Sequence, residues 1–290
     1  MSGQRLGILL FLASIGFITV VDTVAKYLTA ELHAVELVWG YFLGIFLYLV
    51  SYVVFLRRQR RRMLRTRRPG LHVLRSGLLV ASITTLFVGL TYLPIADATV
   101  IGFTAPLFIV ALSVPLLGER VGPHRWIAVL LGLAGVVVIV RPGGGIAHWA
   151  AFMPLIGAVA FALYQIATRV LARTEATATT LFYTAAGGFF WTSVLVPFFW
   201  TTPTPPQWLA FFFIGALGAA AHLCLIRGFE LAQASLLAPF NYSKLVWAAL
   251  LGYLVFGDWP SLNTLAGCAL IVGSGLYVIL RERGTAPDGP

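Results

Sequence analysis

Apolar residues run along this chain in ten blocks, separated by short polar or charged breaks. The blocks are Leu6–Leu28, His33–Leu56, Val73–Leu93, Ala96–Leu117, Trp126–Val140, Trp149–Val170, Thr179–Trp200, Trp208–Ile226, Leu236–Phe256 and Leu262–Leu280. Most have the length of about 20 residues that a helix needs to cross a bilayer core. Helices are required there, because backbone groups find no water partner in lipid. The fifth block is the shortest, and its helix can begin nearer His124. Only Leu93-Pro94-Ile95 separates the third from the fourth, so a long re-entrant hairpin is the alternative at that point.

Composition agrees with the pattern. Hydrophobic residues make up 59% of the 290 residues and charged residues 10%, against about 25% charge in a soluble domain. The mean hydropathy is +0.91. The first block lacks a cleavage site and reads as a retained helix rather than a signal peptide. Cys224 and Cys268 both lie in apolar runs and read as small core residues.

Charge sets the orientation. Arg57, Arg58, Arg60, Arg61 and Arg62 crowd the second loop, followed by Arg65, Arg67 and Arg68. The positive-inside rule places this loop in the cytoplasm of a cell whose inner membrane holds the chain, with both termini on the same side. Arg120, Arg125, Arg169, Arg173, Arg227, Arg281 and Arg283 then also fall inside, and only Arg141 falls outside. The loop is short and carries no interleaved aromatics. The formal charge of +10 therefore reports orientation, not a nucleic-acid partner.

The last five blocks echo the first five. Gly135-Val136-Val137-Val138-Ile139-Val140-Arg141 matches Gly275-Leu276-Tyr277-Val278-Ile279-Leu280-Arg281, and Leu116-Leu117-Gly118-Glu119 matches Val255-Phe256-Gly257-Asp258. Ala96-Asp97-Ala98-Thr99 matches Ala232-Gln233-Ala234-Ser235. Five spans per half force the second half upside down. The sequence thus predicts an all-α integral membrane protein: ten transmembrane helices as two inverted five-helix repeats, residues 1–145 and 146–290, forming one transport unit. Such repeats place a site near the midplane and point to secondary transport by alternating access.

Pro106-Leu107-Phe108 through Leu117-Gly118-Glu119-Arg120-Val121, and Ala238-Pro239-Phe240-Asn241-Tyr242 through Phe256-Gly257-Asp258, resemble the EamA-type halves of the drug/metabolite transporter superfamily. The resemblance covers essentially the whole chain. Asp258 stands where the family more often has Glu. The resemblance implies ten helices and the movement of small organic solutes, among them aromatic and other amino acids, nucleotide-like compounds and vitamins. It implies export or uptake and does not fix the substrate; export is the direction expected here. Relatives that carry phosphorylated sugars use basic residues in the ninth helix, which keeps an anionic solute open.

A charge at the bilayer centre costs about 2.5–3.5 kcal/mol, so each one needs a reason. Asp22 and Lys26 are four residues apart on the first helix and can pair along it; alternatively they line the pathway and exchange partners with a zwitterionic solute or a proton. Lys244 lies well inside the ninth span, where snorkelling is hard. It either draws a carboxylate or phosphate or forms a structural pair, with Asp22 as the candidate partner. His222 in the eighth span is a packing residue or a pH-responsive one. Tyr164 and Gln165 offer an aromatic face and an amide. Thr99, Phe103 and Thr104 stand beside Pro106, and Asn241 and Tyr242 beside Pro239. Pro106, Pro115 and Pro239 mark kinks in helices the repeat makes equivalent, as packing bends or as gates. Glu36 reads as a helix-start acid, and Trp39 and Tyr41 as an interfacial belt. Gly40 and Gly44 form a GxxxG match that serves either close packing within the fold or a dimer.

No phosphate-binding loop, nucleophile elbow or paired metal-ligand spacing appears. The chain is therefore expected to be a cofactor-free, metal-free, monomeric transporter, with membrane lipid as its surroundings and a small-molecule substrate. The leading substrates are amino acids and related metabolites, exported. The alternative is an anionic nucleotide- or vitamin-like solute, and an intramembrane lipid-processing enzyme is the reading from another class.

Overall fold

The computed structural model of the chain describes residues 3–55, 65–117, 123–140, 149–172, 174–231, 240–241 and 243–285. Among them every regular element is a helix: α1 (Gly3–Leu28), α2 (Ala34–Phe55), α3 (Pro69–Tyr92), α4 (Ile95–Gly102), α5 (Ala105–Leu117), α6 (Pro123–Val140), α7 (Phe152–Ala172), α8 (Thr177–Leu195), α9 (Pro205–Leu231), α10 (Ser243–Phe256) and α11 (Leu262–Thr285). Five runs are long and apolar enough to cross a membrane: Gln4–Leu28, Ala34–Ser51, Pro69–Tyr92, Ala178–Phe198 and Pro205–Leu225. Five shorter apolar helical runs, from Ile95, Val129, Phe152, Ser243 and Leu262, fall within the other expected spans.

Prolines and turn chemistry set many of the boundaries. Pro69, Pro123 and Pro205 each open a helix, where the missing N–H costs nothing. Leu93 and Pro94 are both extended, so α3 and α4 are separate helices joined by a tight turn. Pro197 converts the end of the seventh span into a 3-10 turn, Val196–Phe198. The Thr204 N–H donates to Gln207 Oε1 at 2.7 Å and so closes the start of α9. The fourth span is not one helix. Phe103 and Thr104 interrupt it between α4 and α5, and Pro106 cannot supply the N–H that Gly102 would need one turn upstream. The kink expected at Pro106 is thus a break just before it, with Pro106 in the first turn of α5, while Pro115 lies inside α5.

The helices pair in a pattern that the repeat explains. α1 packs on α9 as α3 packs on α7, and α2 on α9 as α3 on α8. α1 meets α10 as α4 and α5 meet α7. α2 with α8, α6 with α11, and α4 with α10 pair across the centre. Shifting each helix of the first set onto its counterpart in the second maps these pairs onto one another. Phe42, Phe87, Leu90, Ile101, Phe211 and Ile214 fill the shared core. Leu130, Leu209 and Val246 are among the large side chains left exposed on the outside, as a lipid-facing surface requires.

Glycine is required where α2 crosses α9. A Cβ on Gly44 would lie 2.7 Å from the Gly215 Cα, so α2 and α9 touch backbone to backbone. Gly40, one turn away, faces the Phe211 ring. The GxxxG pair therefore packs within the fold. At the arginine-rich loop, Glu175 accepts hydrogen bonds from the Arg67 N–H at 2.8 Å and the Thr66 hydroxyl at 2.9 Å. The Arg67 bond is the leading reason its carboxyl titrates below the usual range.

Gly44→Ala should cost about 1–3 kcal/mol through overpacking, read as a lower midpoint of thermal unfolding in detergent. Gly16→Ala, where a Cβ would meet nothing within 4 Å, should show no loss. Equal midpoints for the two variants would remove the α2–α9 contact from the packing argument.

Candidate functional site

The charges expected on the first helix are present, but they do not pair with each other. Asp22 Oδ2 accepts from Lys244 Nζ at 2.9 Å, and Lys26 Nζ donates to Asp258 Oδ2 at 2.6 Å. An i,i+4 pair along a lone helix gains only a few tenths of a kcal/mol. Here each side chain instead finds a tertiary partner on another element. Asp22 is 6% exposed. Both ion pairs join the first half of the chain to the second.

The position of Lys244 makes its charge costly. It is the second residue of α10, where the helix dipole is positive and opposes a cation. Phe240 and Asn241 form a short 3-10 turn just before it, so this part of the ninth span is not one straight helix. Tyr242 and Pro239 lie outside the described residues. The Asp22 carboxylate answers both the ammonium and the helix start. At the other end of α10, Gly257 turns with φ of 72°, a left-handed value that favours glycine. The Gly257 N–H donates to the Tyr253 carbonyl at 3.0 Å. That turn presents Asp258 to Lys26, whose ammonium also lies 4.6 Å from the centre of the Phe256 ring.

Beyond Asp22 the polar groups continue. Tyr41 is 4% exposed and lies within electrostatic range of Asp22 and of Tyr164. It therefore belongs to the interior and not to an interfacial belt; Trp39 alone meets the aromatic cluster of Trp200, Trp208 and Phe189. The Tyr164 hydroxyl accepts from Arg75 Nη2 at 2.8 Å. Arg75 is within electrostatic range of His222, which is partly accessible on α9. Gln165 is exposed on another face of α7 and stands apart.

Around the break in the fourth span, Thr99 is buried and Phe103 half-buried. Thr104 is fully buried, with its hydroxyl donated to the Ile101 carbonyl at 2.7 Å. Asn241 is exposed beside α10. Glu36 is fully buried in the first turn of α2. Among the described residues no group of His, Cys, Asp and Glu is arranged to hold a metal.

Arg75 did not emerge from the sequence, although it lies inside the third apolar block, Val73–Leu93. The available signal was a cation already inside an apolar run, flanked by Leu74 and followed by Ser76 and Gly77.

The EamA-like transporter family matches the chain twice, over residues 5–141 and 148–281. The chain belongs to the EamA-like transporter family. An S-adenosylmethionine uptake transporter of Rickettsia prowazekii is 30% identical over 96% of this chain and 93% of its own. A riboflavin transporter of Brucella anthropi is 30% identical over 86% and 88% of the two chains. A pseudopaline exporter of Pseudomonas aeruginosa is 27% identical over 68% and 70%. A crystal structure superimposes on 99% of both chains with a TM-score of 0.66 at 24% identity, a likeness of fold. The protein is thus a multi-pass membrane transporter of a small molecule.

Asp22→Asn should lower the midpoint of thermal unfolding, because it strands the Lys244 ammonium at a helix start. Adding Lys244→Gln should recover much of that loss, with a coupling of about 1–3 kcal/mol between the two positions. Strictly additive losses in a double-mutant cycle would mean that the pair does not hold in solution.

Proposed function

We propose that this transporter takes up a solute with an amino-acid headgroup and an aromatic or heteroaromatic body by alternating access. Its working unit is one chain, with residues 1–145 and 146–290 as inverted halves in the inner membrane and both termini cytoplasmic. The observation that carries this reading is the Asp22–Lys244 pair, which bridges the halves at the start of α10. A zwitterion can replace both members of such a pair. Its carboxylate takes Lys244 and the α10 N-terminus, and its ammonium takes Asp22. Breaking the pair without a replacement strands a charge, so the empty carrier resists opening while the loaded one is compensated at both ends. Tyr41, Tyr164, His222 and Phe103 supply the wall for a flat body, in keeping with apolar sites that hold few polar anchors. Thr99 and Thr104 flank the interruption between α4 and α5, with Pro106 in the first turn after it, and Asn241 stands just before α10.

The name of the Rickettsia relative supports both parts of this reading, since S-adenosylmethionine joins an amino acid to a nucleoside. It also favours uptake over the export expected from the sequence, because it matches more of the chain than the pseudopaline exporter does. A vitamin-like solute is the second reading, supported by the riboflavin transporter. Such a solute needs Lys244 or the aromatic wall, but has no use for Asp22.

Proteoliposomes offered a mixed panel of amino acids, S-adenosylmethionine, nucleotides and vitamins, and read by mass spectrometry against empty vesicles, test the proposal. Saturable movement of an amino-acid-bearing solute is expected, with at least a tenfold loss in both Asp22→Asn and Lys244→Ala, corresponding to about 1.4 kcal/mol or more. Movement confined to riboflavin or another vitamin, unaffected by Asp22→Asn, would establish the second reading instead.

A further inference from the structure

Arg75 poses a different electrostatic problem from the lysines. It is the seventh residue of α3, about 9 Å along the helix from its start, and only 4% exposed. Among the described residues no carboxylate stands against it. Its partners are neutral: the Thr168 hydroxyl at 2.6 Å from Nε, the Thr184 hydroxyl at 2.5 Å and the Thr180 carbonyl at 3.5 Å from Nη1, and the Tyr164 hydroxyl at 2.8 Å from Nη2. A buried guanidinium held only for structure is ordinarily paired with a carboxylate. This one is oriented without being neutralised.

The donor count shows what remains. A guanidinium has five N–H groups, and these four contacts leave one N–H on Nη2. The Thr168 hydroxyl donates its own proton to the Tyr164 carbonyl at 2.7 Å, and the Thr184 hydroxyl donates to the Thr180 carbonyl at 2.6 Å. Both threonines are therefore committed as acceptors toward Arg75 and fix the plane of the fork. The Tyr164 hydroxyl accepts from Nη2 and keeps its own proton, which has no acceptor among the described residues. Two free donors, one charged, are thus adjacent on atoms 2.8 Å apart. The Tyr164 ring lies under the guanidinium at 4.4 Å and helps hold it in place.

We propose that Arg75 and the Tyr164 hydroxyl form an anion-binding site for a carboxylate or phosphate group of the transported solute, on the cytoplasmic side of the Asp22–Lys244 pair. Tyr41, buried on α2, is in electrostatic range of both Asp22 and Tyr164. The site is assembled from α3 of the first half and α7 and α8 of the second, so its shape depends on how the halves meet. A solute anion leaving Lys244 toward the cytoplasm then meets a second cation before it reaches water. This inference rests on the transport reading for its purpose, but its binding chemistry can be measured without any flux.

The test uses purified full-length protein in detergent, with acetate and inorganic phosphate each titrated against chloride at constant ionic strength. The readout is the midpoint of thermal unfolding. A saturable rise with at least one anion is expected. Response to acetate assigns a carboxylate, and response to phosphate alone assigns a phosphorylated solute. Arg75→Lys keeps the charge but loses the planar fork and should raise the half-saturating concentration about tenfold or more. Tyr164→Phe leaves the guanidinium in place and should weaken binding several-fold; it keeps the test decisive if Arg75→Lys fails to fold. No saturable rise in the unaltered protein, or the same titration curve in Arg75→Lys and Tyr164→Phe, would overturn the proposal and leave Arg75 as a tie between α3, α7 and α8. Anion binding that depends on Arg75, in a protein that moves no amino-acid-bearing solute, would sink the substrate assignment while sparing this one.

Discussion

A lysine on the first turn of a helix within a membrane protein has few places to put its charge. Lipid will not take it, and the positive end of the helix repels it. Lys244 meets this constraint by reaching Asp22 on another helix in the other half of the chain. Much of the remaining polar architecture answers the same constraint. Lys26 is satisfied by Asp258. Asp97 accepts from Thr264 at 2.5 Å, and Glu31 from Gln207 at 2.6 Å. Each of these bonds crosses from the first half to the second. These charged and polar pairs therefore lie on the seam between the halves, as a site built from two repeats requires.

The architecture was legible because a membrane imposes it strongly. Block length and the Gly-Asp turn after α10 both follow from what lipid and water tolerate, and each can be read from a single segment. The helix starts at Pro123 and Pro205 follow from local backbone chemistry in the same way. Partnerships were less accessible. Asp22 and Lys26 stand four residues apart and look like a pair, because sequence shows neighbours along one helix and hides those on the next. Lys244 was recognisable as a charge needing a partner, and Asp22 was a nameable candidate. Nothing local linked Lys26 to a carboxylate 232 residues away.

Arg75 and Tyr41 show a second kind of illegibility. Both are common residue types near the ends of spans, where an arginine usually anchors and a tyrosine usually meets the headgroups. Whether they point out to the interface or into the bundle depends on helix rotation, which packing decides. The turn at Phe103 and Thr104 was half visible. Pro106 announced a disturbance, but the position of the interruption depends on which carbonyl loses its donor and on Thr104 turning its hydroxyl back to the Ile101 carbonyl.

The bare contact between Gly44 and Gly215 has a mechanical consequence. Helices that interlock through large side chains resist rotation, because ridges must climb out of grooves before anything turns. Where two backbones touch with no side chain between them, there is little to disengage. On the related pair of helices, Gly187 faces Ser76 in a similarly close approach. Under the proposed alternating access, these two close approaches are where α2 and α3 would turn against their neighbours with least side-chain disengagement.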